Sequence, residues 1–317
     1  KMAIELFKPF IYLSALENGA TPCTQLLNQP LVFFIDDTIR WNPQNHDGST
    51  SLHETLRYGL KKSLNLISVR IVQELVTPSQ IKYNAKKFGL TTNIRGVDAI
   101  ALGVSEVIPL EITASYAAIA NNGVYNTPFF INKVEDRYGR VLKSLSIDSR
   151  EIKDESLIYL LRDLMRSVVD DGTGGSLRWK YKFNRPAAGK TGTTNSKTDA
   201  WFVGFTPQIT IGIWVGMDDP SMSLGDKQYG SSAALPIFAN TIKSIYESGT
   251  FSYFSQSVKL DSKADWEIPE NIVMKDICHN TCCLKTEWCE SYKEYFNKNN
   301  IPIEYCSDSN PLFRFND

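Results

Sequence analysis

Past the middle of the chain, Lys190-Thr191-Gly192-Thr193 places a cation, two hydroxyls and a bare backbone position within four residues. On a strand such a run could hold a carboxylate. The lysine supplies fixed positive charge, the threonines supply hydroxyl donors, and Gly192 lets a ligand backbone lie close. Standing alone, the same run describes a surface strand with a solvated lysine. Ser63-Leu64-Asn65 offers a hydroxyl and an amide two residues apart, which is equally the composition of a helix cap. Glu5 and Lys8 stand one helical turn apart, and as a simple ion pair they would contribute about 0.2–0.5 kcal/mol.

These groups need elements to carry them. From Phe7 to Glu17 the apolar residues Phe10, Ile11, Leu13 and Leu16 recur at helical spacing, and Asn18-Gly19 supplies a stop. Gln29 to Ser51 is rich in Pro, Asn, Asp and Gly and predicts a long irregular connection, of a kind that is usually functional or disordered. His53 to Lys62 and Leu66 to Leu75 predict helices broken at Ser63-Leu64-Asn65. Thr77-Pro78 supplies an N-cap with proline in the first turn, for a helix ending near Phe88-Gly89. Pro109 to Asn121 repeats that pattern, with Asn121-Asn122-Gly123 as its C-terminal cap.

Phe129 to Val134 and Val141 to Leu145 predict strands around an Asp136-Arg137-Tyr138-Gly139 turn. Ser156 to Asp170 predicts an amphipathic helix. Ala187 to Thr193, Ala200 to Phe205 and Ile209 to Met217 follow with short turns between them, which favours an antiparallel meander. Ser232 to Glu247 predicts a last long helix. Helices, an antiparallel sheet and a further helix argue for an α+β layered fold. Composition shifts after Phe254, and the domains expected are 1–254 and a cysteine-bearing extension, 255–317.

The 317 residues suffice for a sizeable core, and 42% apolar with 22% charged content is ordinary for a globular chain. A net charge of −1 gives no reason to expect nucleic acid as a partner. No apolar run approaches the length of a membrane span, and the N-terminus does not look like a signal peptide. Five of the six cysteines crowd the tail: Cys278, Cys282, Cys283, Cys289 and Cys306. They suggest disulfides ahead of a zinc site made from Cys278, Cys282 or Cys283, His279 and Cys289, because the spacings form no clean pair of C-x-x-C motifs. Cys23, far from the rest, is expected as a small buried hydrophobe.

The segment from Asn184 through the Lys-Thr-Gly run, Trp201-Phe202-Val203-Gly204-Phe205-Thr206-Pro207 and Trp214-Val215-Gly216-Met217-Asp218-Asp219 resembles the transpeptidase domain of class A penicillin-binding proteins. Ser63-Leu64-Asn65 falls where that family carries S-x-N. Trp41-Asn42-Pro43-Gln44-Asn45, Thr55-Leu56-Arg57, Ala101-Leu102-Gly103-Val104-Ser105-Glu106 and Gly172-Thr173-Gly174 are similar to further family segments, in the family's order. Phe7-Lys8-Pro9-Phe10 is similar to the helix of the first motif, S-x-x-K. Counting back from Lys8 puts the nucleophilic serine at residue 5, where this chain has Glu5.

The resemblance implies a penicillin-binding, serine β-lactamase-like fold that cross-links D-Ala-D-Ala wall peptides by acyl transfer, without cofactor or metal. Lys8, Ser63, Asn65 and Lys190 are then the catalytic set, and Thr191, Gly192 and Thr193 bind substrate. Stem peptides of peptidoglycan and β-lactams are the implied ligands. A glycosyltransferase domain and a membrane anchor are implied upstream, on the periplasmic face of the bacterial inner membrane. Two explanations of Glu5 stand: foreign first residues at a truncated start, or a pseudoenzyme that binds wall peptides or proteins without catalysis. The family's sheet has strands before the first motif, so the sheet here is expected to be incomplete, with an unpaired edge. A D-Ala-D-Ala carboxypeptidase or β-lactamase shares the three motifs, and the flanking segments argue against both. Trp41 could cover the groove or simply pack.

Overall fold

The first helix, α1 (Lys8–Glu17), is buried along almost its whole circumference, from Lys8 to Leu16. The sequence predicts a stripe; the structure surrounds it. That is how a lysine in its first turn comes to lie away from water. The computed structural model describes residues 4–34, 40–94, 100–101, 106–194, 197–219, 221–253, 256–261, 263–279 and 281–306. A short 3₁₀ turn, Ile4–Phe7, leads into α1, and the Tyr116 hydroxyl holds it by donating to Leu6 O at 2.8 Å.

After α1 come strands β1 (Gln25–Asn28), β2 (Phe33–Phe34), β3 (Arg40–Trp41) and β4 (Ser51–Thr55). β1 pairs with β4, and β2 pairs with β3. The helix expected from His53 therefore starts later, as α2 (Leu56–Lys61). His53-Glu54-Thr55 extends to complete the β1 ladder, and the Thr55 side chain caps α2 by accepting from Tyr58 N–H at 3.1 Å. Helix α3 (Asn65–Glu74) follows, then α4 (Pro78–Lys87), capped by Thr77 as expected, and α5 (Pro109–Ala120). The positive φ of Gly89, +89°, ends α4, and any Cβ there would meet the Tyr125 hydroxyl.

Small ladders form from β5 (Val124–Asn126) with β8 (Ser149–Glu151), and from β6 (Lys133–Glu135) with β7 (Val141–Ser144). The strand expected from Phe129 is thus only its last part. Asp154 caps α6 (Glu155–Asp170) by accepting from Ser156 and Leu157 N–H, and the short α7 (Ser176–Trp179) follows.

The meander is present: β9 (Ala188–Thr193), β10 (Asp199–Phe205) and β11 (Thr210–Gly216), all antiparallel, with β10 central. Its alternation sorts two cores. Trp201, Val203, Phe205 and Trp214 face α1, α5 and α6, while Phe202, Ile211, Ile213 and Val215 face α8 (Leu235–Ser248) with Phe238, Ala239 and Ile242. Full burial of a side chain such as Val203, Phe202 or Ile242 contributes about 1.5–3 kcal/mol. Among the described residues, β9 and β11 each pair only with β10. No helix among them is long and apolar enough to cross a membrane.

Beyond α8 lie the hairpins β12 (Thr250–Tyr253) with β13 (Gln256–Lys259) and β14 (Ile272–Cys278) with β15 (Ser291–Asn297). The last is fixed to the body in three ways. Trp266 is buried in the main core and donates to Ala120 O at 2.8 Å. Arg57 donates to both oxygens of the fully buried Glu294, and its Nη2 also reaches Asp163. Cys23 is bonded to Cys282, across 259 residues of sequence. That corrects the expectation for Cys23, which is buried but not a lone hydrophobe. Cys278 bonds Cys289. No cluster able to hold a metal occurs among the described residues.

Candidate active site

Three elements deliver the polar groups to one point. Helix α1 brings Lys8 from below. The turn between α2 and α3 brings Ser63, in the left-handed region at φ +58°, and Asn65. Strand β9 brings Lys190, Thr191 and Thr193. The structure brings Lys8, Ser63, Asn65 and Lys190 into contact and places Thr191 and Thr193 on the same cleft, whereas Gly192 packs beside Leu6 and Trp201.

Lys8 Nζ lies 3.0 Å from Ser63 Oγ, 2.6 Å from Ser63 O and 2.9 Å from Asn65 Oδ1. Lys190 Nζ lies 2.7 Å from the same Ser63 Oγ and 3.0 Å from Thr191 O. Both lysines are fully buried. Burial, opposed by the Glu5 carboxylate and assisted by the Lys190 charge, brings Lys8 down to about 7. Burial likewise lowers Lys190, again opposed by Glu5. Lys8 is therefore poised to exchange a proton near neutrality, as a general base must be.

Glu5 points into this cluster. Ser63 Oγ donates to its Oε1 at 3.2 Å, and Lys8 Nζ lies 3.9 Å from the same oxygen. The pair with Lys8 is long, so the carboxylate's closer contact is with the serine.

Ser63 and Asn65 do not cap α3. The N-cap residue is Leu64, and the Leu66 N–H donates to Asn45 Oδ1 at 3.1 Å. Asn65 is engaged at both ends of its amide, since its Nδ2 donates to Gln44 O at 2.9 Å. On β9, Thr191 Oγ1 lies 2.8 Å from Thr173 Oγ1, and Thr193 Oγ1 accepts from Gly230 N–H at 3.1 Å. Packing at Gly192 is tight: a Cβ there would lie 3.2 Å from side-chain atoms of both Leu6 and Trp201.

The groups open on a cleft of about 370 Å³, lined by Glu5, Ser63, Thr173, Thr191 and Thr193, with His46 and Tyr229 among the residues around it. The His46 and Tyr229 rings meet edge to face at 5.3 Å. Asn45, Thr173, His46, Tyr229 and Gly230 were not singled out as site residues from sequence. Asn45 and Thr173 lie inside the family-like segments Trp41–Asn45 and Gly172–Gly174, and that was the signal available. The Trp41 side chain and residues 102–105 of the Ala101–Glu106 segment lie outside the described residues.

Comparison with known proteins gives the arrangement its context. Residues 6–243 match the family model described as penicillin binding protein transpeptidase domain, and residues 268–311 match penicillin-binding protein 1A, C-terminal domain. Penicillin-binding protein 1A of Aquifex aeolicus (strain VF5) is 34% identical over 96% of this chain and 40% of its own length. That of Rickettsia bellii (strain RML369-C) is 36% identical over 94% of this chain and 38% of its own. The chain thus spans about two fifths of these relatives. Among solved structures, penicillin-binding protein 1A from Haemophilus influenzae superposes with a TM-score of 0.84 at 24% identity, covering 97% of this chain and 49% of that one, a likeness of fold.

Proposed function

Because the chain belongs to the penicillin-binding protein transpeptidase family, we propose that it is the transpeptidase part of a 1A-type peptidoglycan synthase, with glutamate where the nucleophilic serine would stand. The observation that carries this reading is the convergence of Lys8 and Lys190 on Ser63 Oγ, with Asn65 on Lys8 and residue 5 one helical turn before Lys8. Its substrate class is the D-Ala-D-Ala end of a wall peptide, and β-lactams are its mimics.

With serine at position 5, its oxygen would attack the D-Ala carbonyl carbon as Lys8 takes the hydroxyl proton. The C–N bond then breaks, and Ser63 passes a proton to the departing D-Ala amine. A second peptide's amine takes the acyl group and restores the serine. Asn65 sits beside Lys8 to hold the donor's amide, and Lys190 supplies positive charge. Thr191 and Thr193 take the terminal carboxylate. The N–H groups of residue 5 and Thr193 would bind the developing oxyanion, where one donor is typically worth ~10²–10³ in rate.

Glu5 changes the outcome. A carboxylate attacking the same carbonyl would give a high-energy anhydride, so the chain as it stands binds without forming a stable acyl-enzyme. The non-catalytic reading draws on one observation, the Ser63 hydroxyl already donating to Glu5.

The flanking modules follow the same reading. Residues 1–254 form the transpeptidase domain and 255–317 its C-terminal extension, in keeping with the two family matches on either side of that boundary. A glycosyltransferase domain and a membrane anchor belong upstream, with this part on the extracytoplasmic face of the inner membrane. The two disulfides accord with an oxidising compartment.

Intact mass after incubation with benzylpenicillin tests the proposal. The chain itself should gain no adduct, and Glu5→Ser should gain one penicillin. An adduct on the unaltered chain would assign the nucleophile elsewhere. A folded Glu5→Ser that binds penicillin without an adduct would put the non-catalytic reading first.

A further inference from the structure

The unit built on β14 and β15 gathers five of the six cysteines, and its two disulfides use three of them together with Cys23. The other two sulfurs, on Cys283 and Cys306, sit at one junction. Leu284, next to Cys283, bridges in parallel to Tyr305, next to Cys306. Two backbone bonds hold the segments in that register: Leu284 N–H to Glu304 O at 2.8 Å, and Cys306 N–H to Leu284 O at 3.3 Å. The buried Thr281 hydroxyl completes the junction. It accepts from Cys283 N–H at 3.2 Å and lies 3.3 Å from Cys306 Sγ. Cys283 is also among the groups that raise the Cys306 thiol.

We propose that Cys283 and Cys306 form a third disulfide, which pins the segment through residue 306 to the turn that already carries Cys282. Cys283 lies within the loop closed by Cys278 and Cys289, whereas Cys306 lies outside it, so the two bonds interleave. The adjacent Cys282 reaches Cys23 beside α1. Residues 278–289 become a hub tying the body, the hairpin and the last described segment together.

The order of steps follows from exposure. Cys306 is 3% exposed and burial, with the Cys283 contact adding to it, pushes its thiol up to about 11, whereas Cys283 is half-buried. Cys283 as thiolate attacks an external disulfide, on an extracytoplasmic thiol oxidoreductase or glutathione disulfide, and displaces one thiol. Cys306 then gives its proton to solvent and attacks Cys283 Sγ, expelling the second. Two protein thiols are oxidised, and one external disulfide is reduced to two thiols.

The test counts thiols in the full chain. The protein is refolded in a glutathione redox buffer, then denatured and alkylated without reduction. Intact mass should show no alkyl group on the unaltered chain, and two after reduction in the native state under conditions that spare the other bonds, or six after full reduction. Cys283→Ser should carry one alkyl group, mapped by peptide mass to Cys306, and Cys306→Ser should carry one on Cys283. Two alkyl groups on the oxidised unaltered chain, located at Cys283 and Cys306, would overturn the proposal. So would a label on any cysteine other than Cys306 in Cys283→Ser. The count on the unaltered chain decides the matter even where a variant fails to fold.

Discussion

Lys8 and Lys190 give hydrogen bonds to one and the same oxygen, Ser63 Oγ, at 3.0 and 2.7 Å. Two buried cations beside a single hydroxyl form a site whose protonation near neutrality depends on its neighbours. Burial and the Lys190 charge pull Lys8 down to about 7, and the Glu5 carboxylate resists. The consequences can be measured without substrate.

Stability should rise with pH above neutrality. Folded Lys8 titrates at about 7, against 10.5 for an ordinary lysine. Between those values the unfolded chain binds the extra proton, so the cost of burying the charged amine is full below about 7 and is relieved toward 10.5. Lys190 is shifted in the same direction. Lys8→Met should lower the slope of unfolding free energy against pH, from urea titrations, by up to about 1.4 kcal/mol per pH unit. An unchanged slope would mean Lys8 is not perturbed as its burial requires.

Glu5→Gln should move the Lys8 midpoint below about 7, because it removes the charge that opposes burial. The titration of the Lys8 ε-carbon, followed by NMR in a ¹³C-lysine sample, reads this directly. A midpoint that rises or stays fixed would separate Glu5 from the lysine's electrostatics.

In a Glu5→Ser background, Thr191→Val should slow acylation by penicillin about 10–100-fold, since a hydrogen bond to a charged group is worth about 1.5–3 kcal/mol. Thr193→Val should act in the same direction, with the added loss of the acceptor for Gly230 N–H. Thr173→Val leaves the Thr191 hydroxyl in place but removes its 2.8 Å partner, and should cost less. Second-order acylation rates measure all three. Equal rates for Thr191→Val and its parent would remove that hydroxyl from the carboxylate site.

Arg57→Ala should destabilise the fold by about 3–5 kcal/mol, because the fully buried Glu294 loses the guanidinium that donates to both of its oxygens. Chemical denaturation of the folded chain provides the number. A loss under 1 kcal/mol would show that the tail is held mainly by Trp266 and the Cys23–Cys282 bond.

What was legible in the sequence was what neighbouring residues decide. Thr77-Pro78 caps α4, and the meander from Ala188 to Gly216 follows local alternation and short turns. The candidate site was legible as motifs, and Lys8, Ser63, Asn65 and Lys190 meet because the fold brings three distant segments to one point. Contacts with no local signature were missed. His53-Glu54-Thr55 has a helical pattern, but β1 claims it as a strand. Cys23 carries no hint of a partner near residue 282, and nothing near Asn45 marks it as the acceptor for Leu66 N–H. Through-space pairing won at each of these positions.

The Cys23–Cys282 bond has one more consequence. It turns most of the chain into a covalent ring. A protease that nicks any loop between those residues leaves two fragments still joined, migrating as one species until reductant is added. The ring also keeps the two ends of the unfolded polypeptide close, so a chain opened by heat retraces its fold from a smaller set of conformations, with the lysine-bearing helix and the tail hairpin already neighbours.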